Sequence, residues 1–540
     1  MKNVFAIALV LGTSSVVAEG ATRRYLVATT HPFHGHLAGG VRDGMDLTAR
    51  DTDSFQSVNG FAAELSDEEV SALRKSPEVR FIEPELERHA TAIRNVAGQT
   101  TPYGIDSVRA PETWTAGRGA KINVAVLDTG IDYRHPDLAA AYAGGYNEVA
   151  RTSDPLDDNG HGTHCAGTIA AADNSLGVVG VAPAVQLWSV KVLNAQGSGS
   201  DTNIIKAIDW VIAKKQEVGG NWVMSLSLGS ADSSVIEAAA FQKAADAGIL
   251  IFAASGNEST ATLPAPIGFP AAYPGVIAVG AIDSKDHLAS FSNQGPELGV
   301  VAPGVDVLST LPVGRGSIGY LSAAGTTYGA PGLDGSPKGT VTGRFVYCSL
   351  GQSGDFPSAV NGNIALIKRG TNTFAEKVKN AKAAGATAVV IFNKDTSALN
   401  WTLISATDLS DLTFAWPLSV GISGVDGAAL LAHPDDTITV TYAADDYGVL
   451  SGTSMATPHA AGVAALVWSV APSASVSAVR QALLNTAKDL GNSGVDDAYG
   501  HGLIDAIDAA KLLAPSAFGA GAAPVPTPPP SGRRILRRGK

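Results

Sequence analysis

Four short stretches of the sequence carry side chains that together would cleave an amide. The run L-S-G-T-S-M-A-T-P-H-A-A-G-V-A-A-L-V, Leu450–Val467, holds Ser454 just after Gly452. V-A-V-L-D-T-G-I-D holds Asp128, D-D-N-G-H-G-T-H-C-A-G holds His161, and A-A-S-G-N-E holds Asn257. Acyl transfer from an amide requires a nucleophile, a base for its proton, an orienter for that base, and donors aimed at the developing oxyanion. Ser454, His161, Asp128 and Asn257 fill those roles in turn, with the backbone N–H of Ser454 as a second oxyanion donor. Each residue also has a plainer reading. Ser454 would cap a core helix, Asp128 would close a turn, and Asn257 in Ser-Gly-Asn is a common turn residue. The spacing His161-x-x-His164-Cys165 hints at zinc. No third spaced ligand pair follows and no acid lies between the histidines, so no catalytic metal is expected.

Such groups need a framework that brings distant stretches together. From Lys121 onward the pattern alternates strands and helices. Strands are predicted at Lys121–Asp128, Leu187–Leu193, Val223–Leu228, Ile249–Ala254 and Val276–Ile282. Helices are predicted at Gly162–Ala172, Asp201–Lys215 and Glu237–Ala247. This βαβ alternation predicts an α/β fold, a mainly parallel sheet with helices on both faces. Sites in such sheets gather at the carboxyl ends of strands, where Asp128 and Ser255–Asn257 fall. The run Met455–Val470 is apolar almost all round and predicts a buried helix. Pro458 is expected in its first turn, where a missing N–H is tolerated, and the N–H groups and dipole at this helix start suit an oxyanion. Further helices are predicted at Ser475–Thr486 and Ile504–Leu513.

Taken together, D-T-G, H-G-T-H, S-G-N and G-T-S-M-A-x-P-H closely resemble the subtilisin-like serine proteases, over about Gln99–Leu513. The order Asp, His, Ser is that of the family. The resemblance implies a serine endopeptidase that works through an acyl-enzyme on polypeptide substrates. It also implies substrate-binding walls at Ser198, Gly199 and Ser200 and at Ser227, Leu228 and Gly229. Gly268 would floor the main specificity pocket and leave room for Leu, Phe, Tyr or Met. Structural calcium is implied at the side chains of Gln99, Asp137 and Asn174 and the carbonyls of Ala172, Leu176 and Val178, an oxygen-rich shell of the kind calcium prefers. Phe61–Glu83 resembles the inhibitory propeptide of this family, with a capping box at Ser66-Asp-Glu-Glu69 opening a helix to Lys75. The chain would then be a self-processing zymogen with its own propeptide as inhibitor. Asn363–Asn393 resembles a protease-associated domain and interrupts the catalytic unit shortly before Ser454. The expected boundaries are 1–18 signal peptide, 22–97 propeptide, 98–513 catalytic unit, 314–446 insertion and 514–540 tail.

Composition narrows the alternatives. At 540 residues the chain exceeds one ordinary domain, and 45% hydrophobic with 16% charged residues describes a packed globular protein. A formal charge of −12 argues against nucleic acid as a partner. The start M-K-N-V-F-A-I-A-L-V-L-G-T-S-S-V-V-A reads as a secretory signal, and no run is suited to span a bilayer. A secreted monomer is expected. Cys165 and Cys348 are not expected to pair, and the tail ending R-R-I-L-R-R-G-K is expected to be flexible. A lipase is disfavoured because Ser454 lies outside a G-x-S-x-G pattern. A catalytically silent adhesion or scaffold protein on the same fold is the alternative function.

Overall fold

Seven parallel strands, each almost wholly buried apart from the outermost, form the centre of the molecule. The computed structural model describes residues 23–31, 53–55, 59–84, 87–88, 99–260, 262–324, 326–394, 403, 413–434 and 436–519. The expected signal peptide, the linker from Ala90 to Gly98 and the tail from Ala520 onward lie outside these residues.

The chain opens with β1 (Arg23–Thr29), β2 (Asp53–Phe55), β3 (Gly60–Leu65), α1 (Asp67–Leu73), β4 (Val79–Pro84) and β5 (Glu87–Arg88). The first four strands pair antiparallel in the order β2-β3-β1-β4. The capping box forms as predicted: Glu69 N–H donates to Ser66 Oγ (3.3 Å), and Ser66 N–H donates to Glu69 Oε2 (2.8 Å). The period-two alternation of β1 splits its side chains between two cores. Tyr25 and Val27 pack with Phe61, Val70 and Leu73, while Leu26 and Ala28 join the main core of the molecule. The leading module is therefore docked on the catalytic unit through one sheet face.

Next come α2 (Tyr103–Ser107), α3 (Ala110–Thr113), β6 (Ile122–Asp128), β7 (Tyr142–Asn147), α4 (His161–Ala170), β8 (Gln186–Lys191), β9 (Gly199–Ser200) and α5 (Asp201–Val218). They are followed by β10 (Asn221–Leu226), α6 (Val235–Asp246), β11 (Ile249–Ala254), β12 (Val276–Ile282), β13 (Leu298–Pro303) and β14 (Val307–Thr310). The main sheet has the order β13-β12-β11-β10-β6-β8-β7, all parallel. Its inner strands are apolar runs because helices cover both faces. The half-exposed, glycine-containing edge strand β7 lacks that signature and is not visible in the pattern.

An insertion follows: β15 (Gly316–Ala323), β16 (Thr326–Gly329), β17 (Gly339–Tyr347), β18 (Ile364–Lys368), α7 (Phe374–Ala383), β19 (Ala388–Phe392), β20 (Leu418–Ile422), α8 (Gly424–Leu431) and β21 (Thr437–Asp445). Its seven-stranded sheet is mixed: β17, β18, β19 and β20 run parallel, while β16, β15, β21 and β17 pair antiparallel. Ile364, Leu366 and Val390 face one small core; Ala365, Ile367, Val389 and Ile391 face another. The insertion thus has its own interior. The chain re-enters the catalytic unit through β22 (Tyr447–Leu450), which pairs antiparallel with β14, then runs through α9 (Thr453–Val470), α10 (Val476–Asn485) and α11 (Ala506–Leu513). Residues Thr453–Trp468 of α9 are all buried, so this helix is the spine of the core. No helix among the described residues is long and apolar enough to cross a membrane.

Candidate active site

Asp128 is the last residue of β6 and is fully buried. Its Oδ1 accepts from Thr129 N–H (2.7 Å) and from His161 Nδ1–H (2.7 Å). His161 is the first residue of α4, reached through Gly160 at φ 117°, a conformation that favours glycine. The glycine after it is required by close approach: a Cβ on Gly162 would lie 2.1 Å from Gly130 O and 3.1 Å from Asp128 Cβ. The two glycines of G-H-G let the helix start abut the end of β6. Burial alone would lower the His161 pKa. The Asp128 carboxylate and Cys165 outweigh it and hold the pKa well above the ordinary value.

Ser454 sits at the second position of α9, and its Oγ donates to Ser227 O (3.0 Å). The expected Ser–His hydrogen bond is therefore not formed in this conformer, and His161 Nε2 has no partner among the described residues. Pro458 corrects another expectation. It is not in the first turn of α9, because the helix begins at Thr453, so the missing N–H leaves the carbonyl of Ser454 without its i+4 donor. Ser227 Oγ–H (2.7 Å) and Cys165 S–H (3.5 Å) donate to that carbonyl instead. Ser227 and Ser454 are tied reciprocally, which fixes the serine backbone to the end of β10. Burial raises the Cys165 pKa and keeps it a thiol.

Asn257 follows β11, across the sheet from Asp128. Its Oδ1 accepts from Thr453 N–H (2.8 Å) and Thr453 Oγ1–H (3.0 Å). With the oxygen held by Thr453, the amide's orientation is set and its N–H groups face away from that clasp.

The wall expected at Ser198, Gly199 and Ser200 is only partly strand. β8 ends at Lys191, and Asn194–Gly197 folds into a turn in which Ser198 N–H donates to Asn194 Oδ1 (3.1 Å). Only Gly199–Ser200 is strand, and it pairs antiparallel with Glu87–Arg88 of the leading module. Opposite, Ser227 and Leu228 are buried and Gly229 is half-buried. Gly268 N–H donates to Ser255 O (2.8 Å), and Ser230 and Phe269 exchange backbone hydrogen bonds of 2.9 and 2.8 Å. A Cβ on Gly268 would lie 3.0 Å from Ser230 O, so the glycine keeps this wall thin.

The residues of the expected calcium site are linked to one another by hydrogen bonds. Asp137 is fully buried; its Oδ1 accepts from Asn174 Nδ2–H (2.8 Å) and its Oδ2 from Val178 N–H (3.1 Å). Gln99 Nε2–H donates to Ala172 O (3.3 Å), and Leu176 N–H donates to Asn174 Oδ1 (2.8 Å). Tyr447 closes this loop: its phenol is raised in pKa by burial and by the neighbouring Asp137 carboxylate, and its ring occupies the space that a Cβ on Gly177 would take.

Several positioning residues went unrecognised in the sequence. Asp157 accepts from Thr129 Oγ1, Asn159 N–H, Gly160 N–H and both the N–H and hydroxyl of Thr163, at 2.6–2.9 Å, and so shapes the entrance to His161. An Asp a few residues ahead of a helix start is the signal that would have found it. The buried Lys191 ammonium donates to Thr129 O, Leu193 O and Asp158 Oδ1, each at 2.7 Å. His164 Nε2–H lies 2.9 Å from both Val307 O and Gly448 O and fastens the neck of the insertion to α4; it does not join His161 and Cys165. Cys165 and Cys348 are both free and buried.

Comparison with known proteins identifies relatives of both the leading module and the unit that carries these residues. The Subtilase family model matches residues 119–333 and 346–502, and the Peptidase inhibitor I9 model matches residues 27–91. No family model for a protease-associated domain matches the insertion. Subtilisin E of Bacillus subtilis (strain 168) is 41% identical over 284 residues, 52% of this chain and 70% of its own length. An alkaline protease of Shouchella clausii is 42% identical over 283 residues, 52% of this chain and 69% of its own length. The crystal structure of the psychrophilic subtilisin-like protease Apa1 from the Antarctic psychrotroph Pseudoalteromonas sp. AS-11 superposes with a TM-score of 0.60 at 32% identity, covering 78% of this chain and 99% of that one. The chain belongs to the subtilase family: it is a subtilisin-like serine endopeptidase made with an I9-type inhibitor propeptide.

Proposed function

We propose that Ser454 is the nucleophile, His161 its general base, and Asp128 the group that holds the imidazole. The observation that carries this reading is the 2.7 Å contact between buried His161 Nδ1 and Asp128 Oδ1, which fixes the tautomer and leaves Nε2 as the base. The Ser454 hydroxyl must leave Ser227 O for Nε2, and catalytic hydrogen bonds of this kind commonly tighten only when substrate arrives. Asn257 Nδ2 and the Ser454 N–H form the oxyanion hole. The Thr453 clasp supports this, since a donor set before the reaction costs no reorganisation during it. The acyl-enzyme is then hydrolysed by water, with His161 again the base.

Polypeptide substrate adds as a strand beside Gly199–Ser200 and runs past Ser227–Gly229, with Gly268 flooring a pocket for Leu, Phe, Tyr or Met. The pairing of Glu87–Arg88 with Ser200 and Gly199 supports this, because the end of the inhibitor module lies where such a strand would. Ser198 has a lesser part, its N–H being spent on Asn194.

Calcium suits the Asp137 loop by the chemistry of its donors: one buried carboxylate, two side-chain amides and three carbonyls, all able to present oxygen. Gln99, Asp137, Asn174 and the carbonyls of Ala172, Leu176 and Val178 would hold it. The ion would stabilise the loop and take no part in the chemistry. We assign residues 1–18 to a secretory signal, 22–97 to the propeptide, 98–513 to the catalytic unit and 514–540 to a tail. The insertion at 314–446 is read as a protease-associated domain that holds or screens protein substrates, and the mature enzyme as an exported monomer.

Labelling with a serine-reactive fluorophosphonate tests the roles directly. Label is expected in the native chain and absent from Ser454→Ala, which should also retain its propeptide uncut. Labelling of Ser454→Ala would place the nucleophile elsewhere, and its normal maturation would point to an external processor.

A further inference from the structure

A cavity of about 490 Å³ opens in the insertion at the carboxyl ends of β18 and β19, lined by Leu350, Lys368, Arg369, Gly370, Thr371 and Lys394. Three of its six lining residues are cations, in a chain whose formal charge is −12. Lys368 ends β18, and Lys394 lies just past β19; both are exposed, and neither has a carboxylate partner among the described residues. Arg369 is steadied by Asn393, whose Oδ1 accepts from its guanidinium at 3.0 Å. The Leu350 wall is held from behind by Lys377, a fully buried side chain whose ammonium donates to Leu350 O and, at 2.6 Å, to Asn372 Oδ1.

The nearby acids serve elsewhere. Asp355 Oδ2 accepts from Leu350 N–H (3.2 Å) and Gln352 N–H (2.9 Å), while Glu376 completes the capping box of α7 with Thr373. Like charges lining one concavity repel, and an anion relieves that repulsion. The volume falls in the range of about 300–1,000 Å³ typical of pockets for organic ligands, well beyond what one inorganic ion fills. Lysine and arginine together offer point charges and a planar fork, which match carboxylate oxygens.

We propose that this cavity is an exosite for acidic segments of polypeptide substrates, with Lys368 and Lys394 receiving Asp or Glu carboxylates and Arg369 adding to the positive field. The proposal rests on the reading that the insertion holds substrate.

The test uses full-length Ser454→Ala protein and a fluorescent peptide rich in Asp and Glu, compared with its Asn/Gln counterpart by anisotropy at low salt. The acidic peptide should bind more tightly, and K368E/K394E should weaken it about fivefold, the scale of two partly exposed ion pairs. K368A/K394A should give a smaller loss, and thermal melting of both variants checks folding. Equal binding of the two peptides, or a preference that survives charge reversal, overturns the exosite. Competition by inorganic phosphate with no preference for the acidic peptide also overturns it, in favour of a small-anion site. In active enzyme, the ratio of KM values for two protein substrates, with and without an acidic segment, should approach one in K368E/K394E. If lysine-dependent binding is seen but this ratio does not move, the reading that the insertion holds substrate fails, and the exosite with it.

Discussion

Two sets of parallel strands in this chain, the main sheet and one half of the insertion's mixed sheet, end in polar side chains and use them in opposite ways. At the carboxyl end of the main sheet, Asp128, His161, Ser454 and the oxygen of Asn257 are each held by a near neighbour. At the carboxyl end of the parallel half of the insertion, Lys368 and Lys394 stand exposed with no carboxylate partner among the described residues. Topology is shared because βαβ units deliver their loops to that end. What differs is burial. Charge in a dry site must be paired to be tolerated and is then rigid enough to act on a reacting atom. Charge in water is unpaired at little cost, and suits capture of a mobile ligand.

Substitutions at the two ends should differ accordingly. Asp128→Asn is expected to lower kcat on the order of 10⁴-fold by favouring the wrong tautomer of His161. In the native enzyme the raised His161 pKa means that neutral base is lost as pH falls through a value above the usual histidine range. The acid limb of kcat/KM should therefore lie high, and in Asp128→Asn it should move down; an unmoved limb would show that another group titrates there. Asn257→Ala should reduce kcat on the order of 100-fold or more with little change in KM, a scale for which subtilisin is itself the reference case. Thr453→Val keeps the backbone N–H to Asn257 but removes the hydroxyl, so a loss of roughly tenfold is expected, near the about 1–1.5 kcal/mol of one buried hydrogen bond. Unchanged turnover there would mean that Asn257 is oriented by other contacts.

Calcium removal probes a third region. Chelation should lower Tm, with a loss of about 2.7 kcal/mol where the ion is present at a hundredfold its Kd; an unchanged melting curve would remove calcium from the Asp137 loop. The smallest effect belongs to the insertion. K368E/K394E should alter folding stability by no more than about 0.5 kcal/mol, because exposed, unpartnered charges contribute little. A large loss in urea unfolding would erase the contrast between the two sheet ends.

How much was legible follows the same physics. Strands β6, β11 and β12 could be read because strands buried on both faces are continuous apolar runs; β7, half-exposed and rich in glycine, could not. The long strands β15 and β17 were missed because they alternate small and polar residues on partly exposed faces. Lys191 and Thr453 escaped notice because their partners are groups brought in by folding, which leave little trace in local pattern, whereas Asp157, most of whose partners lie within six residues, had a local signal that was passed over. Pro458 was misplaced by one turn, since the helix boundary depends on the Asn257 clasp on Thr453.

The four chemical side chains, their order and the parallel α/β framework were determined by the sequence itself, because residue type and hydrophobic period are local properties. Tertiary structure alone decided how those groups are held. The glycine at 162 that lets α4 abut β6, the Ser227 and Cys165 donors standing in for the missing proline N–H, and the Tyr447 lid on the Asp137 loop all join segments far apart in the chain. Such contacts exist only once apolar burial has brought those segments together, and a buried polar group must then take whatever partner the packed core presents.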